Sequence, residues 1–483
     1  MNVVDTLRRH AEARPEHPAL CVDRGGSSET IGYAALLERV DARAAALRDE
    51  GLSRGERCGL VARPGPAFIE TALAILEAGG CLVPVPDDAG DEARTRFATQ
   101  AKLHAWCRES EAFRLERLPE VESSSSAVEP GSSEAEPSID EAAFRALDPA
   151  YLRFTSGTTS TRKGVILSHA RILERLDAAN AGLEIGPQDR VLWLLPMAHH
   201  FVVSILLYLR SGATVLLPQS ALAKPVLAFA GRERATVSYA SPYHYHLLSK
   251  DASDARLPLR LAVSTAEGLR AEVAERFQAR FGFPLSQALG IIEVGLPVLN
   301  RDEAATKPTA LGKPLPAYDV WLRDDEGKRI QAPGAPDRTG EVCIRGPGLF
   351  DAYLDPWTPS ASLLGEDGFR TGDQGWFDAD GTLHLAGRRH NRINMAGMKF
   401  FSEEVESVLL AHPAVQECRV FARTHPQLGE IPVAEIVADP AGDAPDRADL
   451  TRHCRRSLPS YKVPREFRVV DALARTATGK LQR

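Results

Sequence analysis

Residues 151–164 read YLRFTSGTTSTRKG, a strand-like run that opens into hydroxyls and glycines and closes on a lysine and a glycine. That composition suits phosphate. Glycine lets backbone N–H groups approach an anion, the hydroxyls of Thr155, Ser156, Thr158 and Thr159 can donate to phosphate oxygens around Gly157, and Lys163 supplies compensating charge. The spacing is not that of the G-x-x-x-x-G-K-[ST] nucleotide loop, because Gly157 stands six residues before Lys163 and Gly164 follows it. An ordinary P-loop NTPase is therefore disfavoured. Composition alone leaves a second reading open, that of a plain polar loop.

Outward from this stretch, helical and strand-like periods alternate. Upstream, the pattern predicts a helix over 33–50, a strand over 57–61 and a helix over 67–78; downstream, strands over 191–195, 213–217 and 236–239 are separated by helix-like segments. Such alternation reads as α/β with parallel sheets. Residues 120–142 are rich in Ser, Glu and Pro and are expected to form a surface loop. After Glu341-Val342-Cys343-Ile344-Arg345 the Gly and Pro density rises, which predicts an antiparallel, turn-rich region running to Gly387. A small α+β lobe follows, with a turn at Gly397 and a helix from Ser402 whose first residues include Glu403, Glu404 and Glu406, placed where the positive helix end favours them. The expected layout is a large N-terminal domain, 1–388, made of two α/β subdomains plus a small antiparallel barrel-like region. A small mobile α+β C-terminal domain, 389–483, completes it. No repeat with a period of 20 to 50 residues is visible, which removes solenoids and propellers.

At 483 residues the chain needs more than one core. Its 44% hydrophobic, 25% charged and 6% aromatic residues describe an ordinary globular protein. A net charge of −7 and a pI near 6.1 argue against a nucleic-acid partner. The seven cysteines, at 21, 58, 81, 107, 343, 418 and 454, are odd in number and contain no C-x-x-C pair. They read as reduced thiols rather than a disulfide framework or zinc site. Asp5, Arg8, Arg9, His10, Glu12 and Arg14 interrupt the first fifteen residues and leave no apolar core for a signal peptide. The longest apolar stretch, 201–209, falls well short of the roughly 20 residues of a membrane span and reads as a buried helix. A cytoplasmic protein with no membrane insertion is expected.

FTSGTTSTRKG resembles the phosphate loop of the adenylate-forming superfamily, which comprises acyl-CoA synthetases, peptide-synthetase adenylation domains and luciferases. Further resemblances follow in order: Leu289-Gly290-Ile291-Ile292-Glu293 to the family's Tyr-Gly-x-Thr-Glu, Gly340-Glu341-Val342 to its Gly-Glu-Leu strand, and Thr371-Gly372-Asp373 to its Thr-Gly-Asp. Gly387-Arg388, the Gly397 loop and Thr478-Gly479-Lys480 complete the series. The resemblance implies ATP-dependent activation of a small carboxylic acid to an acyl-adenylate. Transfer to CoA, or to the phosphopantetheine of an acyl carrier protein, would follow, with stand-alone acyl- or aryl-CoA ligases the nearest in kind.

The resemblance also implies roles. Glu293 would hold Mg2+ against the phosphates, as a hard cation prefers oxygen ligands. Asp373 would accept both ribose hydroxyls, Arg388 would contact the nucleotide, and backbone at Thr265, Ala266 and Glu267 would lie along the adenine. His199 would stand beside the acyl pocket. A metal pair with His200 is improbable, because adjacent residues on a helix diverge. Lys480 would stabilise charge developing at the α-phosphate, and His390 occupies the hinge about which the C-terminal lobe turns between two poses.

Four positions depart from the family pattern: Ser160 for glycine, Arg162 for proline, Leu289 for tyrosine and Ile292 for threonine. Isoleucine offers no hydrogen bond to a phosphate oxygen, so an impaired or non-catalytic nucleotide-binding homologue stands as the alternative. Lys163, Glu293, Asp373, Arg388 and Lys480 together favour an active enzyme. Phe201-Val202-Val203-Ser204 lacks the aspartate that pairs with an α-amine, which disfavours an amino-acid substrate.

Overall fold

The computed structural model describes residues 1–87, 90–108, 114–119, 139–155, 163–330, 338–388, 391–395, 398–440, 445–475 and 481. The chain divides into two compact units. The larger holds Met1–Thr155, Lys163–Asp319 and Arg345–Phe369; the smaller includes Val320–Ile344 and Arg370–Arg483.

Two large sheets build the first unit. In one, parallel strands Ser286–Ile291, Leu261–Ser264, Val237–Ala240, Arg190–Trp193, Thr214–Leu217 and Pro18–Asp23 lie side by side in that order. Antiparallel strands Gly295–Leu299 and Ser28–Gly32 flank them. The other sheet has a parallel centre of Pro149–Phe154, Cys81–Val85, Arg57–Val61 and Ala105–Arg108. Strands buried on both faces need continuous apolar runs, and Arg57–Val61 and Cys81–Val85 are buried at every residue.

Helices follow their sequence signals. Pro66–Glu77 starts with proline at its first turn, where a missing N–H costs nothing, and is buried from Phe68 through Leu76. Its one internal charge, Glu70, meets Arg39 and Arg43 at 3.0 and 2.9 Å. His169–Leu183 is capped by the Ser168 hydroxyl, which accepts from the Arg171 amide, and buries Ile172, Leu176, Ala179 and Leu183 along one face.

The smaller unit carries the antiparallel strands Gly340–Arg345, Phe369–Phe377 and Leu383–Arg388. It also carries a five-stranded sheet centred on the long pair Val415–His425 and Gly429–Ala438, against which helices Ser402–Leu410 and Arg447–Ser457 close a core of Ile393, Phe400, Val405, Ala434 and Leu450. The mixed α/β architecture, with a large N-terminal part and a smaller C-terminal part, is the expected fold class, while the compact units divide the chain elsewhere than at 388, since 320–344 and 370–388 group with the smaller unit. Glu403 and Glu404 stand in the first turn of the Ser402 helix, as read from the sequence. Most of the expected 120–142 loop and the Gly397 turn lie outside the described residues. All seven cysteines are buried free thiols, and among the described residues no helix is long and apolar enough to cross a membrane.

Candidate active site

The phosphate-loop segment sits between two strands of one hairpin. Pro149–Phe154 pairs antiparallel with Gly164–Ser168, Phe154 opposite Gly164, and the Thr155 amide donates to the Lys163 carbonyl at 2.9 Å. That bond closes the base of the loop. Ser156, Gly157, Thr158 and Thr159 lie outside the described residues. Strand Ala352–Tyr353 pairs with Gly164–Ser168 on the other side, which brings the Tyr353 ring under the Lys163 ammonium, 4.6 Å from nitrogen to centroid. A cation over a ring face is worth about 0.5–2 kcal/mol, more as water is excluded.

Tyr353 also serves Glu293. Its hydroxyl donates to Glu293 Oε1 at 3.1 Å, so one phenol presents its face to the lysine and its hydroxyl to the carboxylate. Glu293 occupies the turn between Ser286–Ile291 and Gly295–Leu299 and is buried. Burial pushes its carboxyl above the usual carboxylate range, against the opposing pull of its own backbone amide, the Tyr353 hydroxyl, Arg175 and Lys163. Burial also raises the Tyr353 phenol, with the Glu293 charge adding to the effect, and this keeps the hydroxyl a donor at neutral pH.

Arg175 holds this turn in place from the His169–Leu183 helix. Its guanidinium donates to the Ile292 carbonyl at 2.9 Å and, through two other nitrogens, to the Gly348 carbonyl. Burial lowers Arg175 to about 10, so it remains charged. Gly348 has φ +67°, and a Cβ there would stand 2.6 Å from the Arg175 backbone nitrogen, so only glycine lets the 346–350 segment lie this close. Nothing in the motif series points to Arg175 or Tyr353. A signal did exist for the arginine: it stands three residues after Ile172 and four before Ala179, on the apolar face that the helical period defines.

Among the described residues no three His, Cys, Asp or Glu side chains gather as a metal cage. Mg2+ needs none, since it keeps several waters and binds through one or two carboxylates together with substrate phosphates. A single buried carboxylate beside a phosphate-loop lysine fits that donor set.

Thr265 follows strand Leu261–Ser264 and is buried, its amide bonded to the Ala240 carbonyl at 3.1 Å. Ala266 and Glu267 are exposed, and Ala266 holds φ +76°. A non-glycine residue there costs on the order of 1 kcal/mol, a strain that concentrates at functional turns. The turn lies against the Glu293 hairpin, since a Cβ on Gly290 would stand 3.6 Å from Thr265 Oγ1.

His199 lies in the short helix Met197–His200, and its carbonyl accepts from the Arg153 guanidinium. The expected buried helix over 201–209 is buried but not regular: Phe201–Ile205 is a π-turn and Leu206–Arg210 resumes the α-helix. Beneath the π-turn, Trp193 and Tyr239 are paired across adjacent parallel strands with rings stacked 5.8 Å apart, and Tyr208 stands edge-on to both at 6.2 and 6.3 Å.

The smaller unit holds the other predicted pair. Asp373 and Arg388 face each other across antiparallel strands, with Arg388 Nε 3.2 Å from Asp373 Oδ1. The Thr371 hydroxyl donates to the Val342 carbonyl at 2.8 Å and accepts from the Asp373 amide at 3.0 Å, with Gly372 at φ +74° between them. Thr-Gly-Asp is therefore a self-bonded turn that fixes where the carboxylate points. His390 and Lys480 lie outside the described residues.

Comparison with known proteins places these elements in a family. Residues 7–354 match the AMP-binding enzymes, and residues 404–480 match the AMP-binding enzyme C-terminal domain. The pyochelin synthase PchD of Pseudomonas aeruginosa is 29% identical over 510 residues, spanning 100% of this chain and 91% of that protein. The feruloyl-CoA synthase of an Amycolatopsis species is 28% identical over 490 residues, spanning 97% and 95%. The solved structure of o-succinylbenzoate CoA synthetase from Bacillus subtilis, in complex with its acyl-adenylate intermediate, shares the fold with a TM-score of 0.83 at 23% identity, over 99% of this chain and 96% of that one. The family match covers more than half the sequence and includes both the phosphate-loop hairpin and the Glu293 turn, so this chain belongs to the AMP-binding enzymes.

Proposed function

We propose that the protein is an AMP-forming acid–thiol ligase. A carboxylate oxygen of the substrate attacks the α-phosphorus of ATP, pyrophosphate leaves and an acyl-adenylate forms. A pantetheine thiol then attacks the acyl carbon, giving a thioester and AMP. CoA and the arm of an acyl carrier protein present the same thiol, and either serves as acceptor.

The observation that carries this reading is the meeting of Lys163 and Glu293 on Tyr353, at the closed base of the phosphate-loop hairpin. In this reading Thr155 to Thr159 and Lys163 hold the phosphates, Glu293 holds Mg2+, and Thr265 to Glu267 lie along the base. Bound Mg2+ neutralises phosphate charge. Asp373 takes the ribose hydroxyls with Arg388 beside it, His199 flanks the acid, and Lys480 stabilises the charge that develops as the acid attacks.

Ile292 bears on the alternative reading. Its carbonyl is the acceptor for Arg175, so the residue anchors the Glu293 turn through its backbone, which any side chain permits. The departure at this position therefore leaves the carboxylate supported. Pyrophosphate release from Mg-ATP over a panel of carboxylic acids tests the proposal. Acid-dependent release is expected, followed by thioester formation when CoA or a holo carrier protein is added. ATP binding without release on any acid would instead identify a non-catalytic homologue.

A further inference from the structure

The sheet that contains Arg190–Trp193 reverses its strand order there. The chain lays Thr214–Leu217 on one side of that strand and then returns to lay Val237–Ala240 on the other. In open α/β sheets the crevice outside the carboxyl ends of the strands at such a reversal is where ligands bind. Trp193 and Tyr239 stand at those carboxyl ends, register partners with stacked rings.

Three polar atoms around this crevice are buried without a hydrogen-bond partner: Trp193 Nε1, Tyr208 Oη and Ser204 Oγ. Their residues are 3%, 1% and 1% exposed. Each buried polar group left unpaired costs roughly five- to 150-fold in the folding equilibrium, and native interiors pair nearly all of them. Three in one place call for an occupant. Ser204 lies on the π-turn Phe201–Ile205, a distortion that recurs at functional sites. It sits near both phenols, close enough to offset part of their burial, without closing a bond to Tyr208. The unpaired groups are two hydroxyls and one indole N–H, all neutral, so they ask for a neutral polar group. The walls are aromatic. A hydroxyl can accept from the indole N–H and donate to a serine or tyrosine oxygen at once, whereas an aryl amine is a poor acceptor.

We propose that this crevice is the far end of the acid pocket and that the acid is an aromatic carboxylic acid bearing a ring hydroxyl, read by Trp193, Ser204 and Tyr208. The proposal rests on the adenylation reading above. It specifies which acid, and the nucleotide residues do not enter it. A plain aromatic or aliphatic acid would leave the three atoms unpaired, and sites built to bond a substrate hydroxyl reject the analogue lacking it strongly.

The test measures pyrophosphate release with benzoate, the three hydroxybenzoates, hydroxycinnamates, their amino counterparts and hexanoate. One hydroxylated aromatic acid is expected to exceed its deoxy parent by about 100-fold or more in kcat/KM. Tyr208→Phe and Trp193→Phe should each cut that ratio by about tenfold or more. Tyr208→Phe should also leave the melting temperature of the free protein unchanged or higher, because the hydroxyl it removes bonds nothing in the protein. Equal or better use of the deoxy or aliphatic acid overturns the proposal, and so does a ratio that survives both variants. A Tyr208→Phe protein with a lower melting temperature and an unchanged ratio would mean that the crevice holds a structural water. If no acid releases pyrophosphate, the adenylation reading fails while this one is still decided by thermal shift: stabilisation of the wild type but not of Tyr208→Phe by a hydroxylated aromatic acid supports it, and no shift with any acid overturns it.

Discussion

The Glu293 turn and the Trp193–Tyr239 crevice are both buried and both polar, and they treat their polar atoms in opposite ways. At the turn the protein supplies the partners: Tyr353 bonds the carboxylate, and Arg175 takes the Ile292 and Gly348 carbonyls. At the crevice three donors are left open. A ligand that never changes, such as a nucleotide phosphate with its cation, permits a site prepared down to its supporting hydrogen bonds. A variable ligand has to supply the missing partners itself, and on the reading proposed above the first region sets identity and the second specificity.

The largest expected effect comes from removing the charge at the prepared site. Glu293→Gln keeps the shape and should lower pyrophosphate release by about 10²–10³-fold, as loss of a preorganised charge does elsewhere. It should also raise the melting temperature, because the wild-type carboxyl is held above its usual range by burial. The sign follows from linkage. At acid pH the group is protonated in folded and unfolded chains alike, and the substitution gains nothing. As pH rises the unfolded chain loses its proton first, so wild-type stability falls until the folded carboxyl also ionises. The gain of the glutamine variant should therefore be small in acid and largest at neutral pH. A melting temperature that falls at neutral pH would show that the turn relies on the charge it holds.

Next in size is the clamp. Arg175→Met fills the space but leaves the Ile292 and Gly348 carbonyls unpaired in the interior, at about 1–3 kcal/mol each before the relief from desolvating the guanidinium is counted. A net loss of about 2–4 kcal/mol in urea unfolding is expected, with Arg175→Lys intermediate because it still reaches one carbonyl. Equal stability of the wild type and the methionine variant would remove the clamp from the account of the turn.

In the smaller unit the expected effect is functional rather than structural. The Asp373–Arg388 pair has one partner about half exposed, and such pairs contribute about 0–1 kcal/mol. Asp373→Asn should leave unfolding nearly unchanged and, on the proposed function, raise the KM for ATP by about tenfold, since there a carboxylate accepting two ribose hydroxyls gives way to an amide that can accept with only one oxygen. A large loss of stability with unchanged KM would reverse that assignment.

Periodicity made the strands at 57–61 and the helix at 33–50 legible within a residue, because each buries a face that its own pattern announces. That Lys163 and Glu293 share one site was legible through the order of motifs, not through either residue alone. Tyr353 and Arg175 were not, because their contacts span 60 and 117 residues of chain and only folding brings them together. The crevice was hidden for a related reason. Residues 201–209 read as one apolar helix, and hydrophobic pattern alone carries no sign of the π-turn that places Ser204 where it is. Nor does a sequence show that a buried hydroxyl lacks a partner.

The smallest effect expected lies at Ala266, where the two regions adjoin: Thr265 packs beside Gly290 of the Glu293 hairpin and stands near the Tyr239 phenol. At φ +76° alanine is strained and glycine is not. Ala266→Gly should relieve about 1 kcal/mol of native strain while adding a similar conformational freedom to the unfolded chain, so unfolding should shift by less than about 0.5 kcal/mol in either direction. On the proposed function the strain holds one backbone geometry in a turn that meets the flat adenine ring, and glycine loosens that geometry. We expect the KM for ATP to rise by about two- to fivefold with kcat little altered. A variant that is measurably more stable and binds ATP as tightly would show that the turn adopts its shape without alanine's constraint. The unusual φ would then be a consequence of packing between the hairpin and the crevice, not a device for positioning the nucleotide.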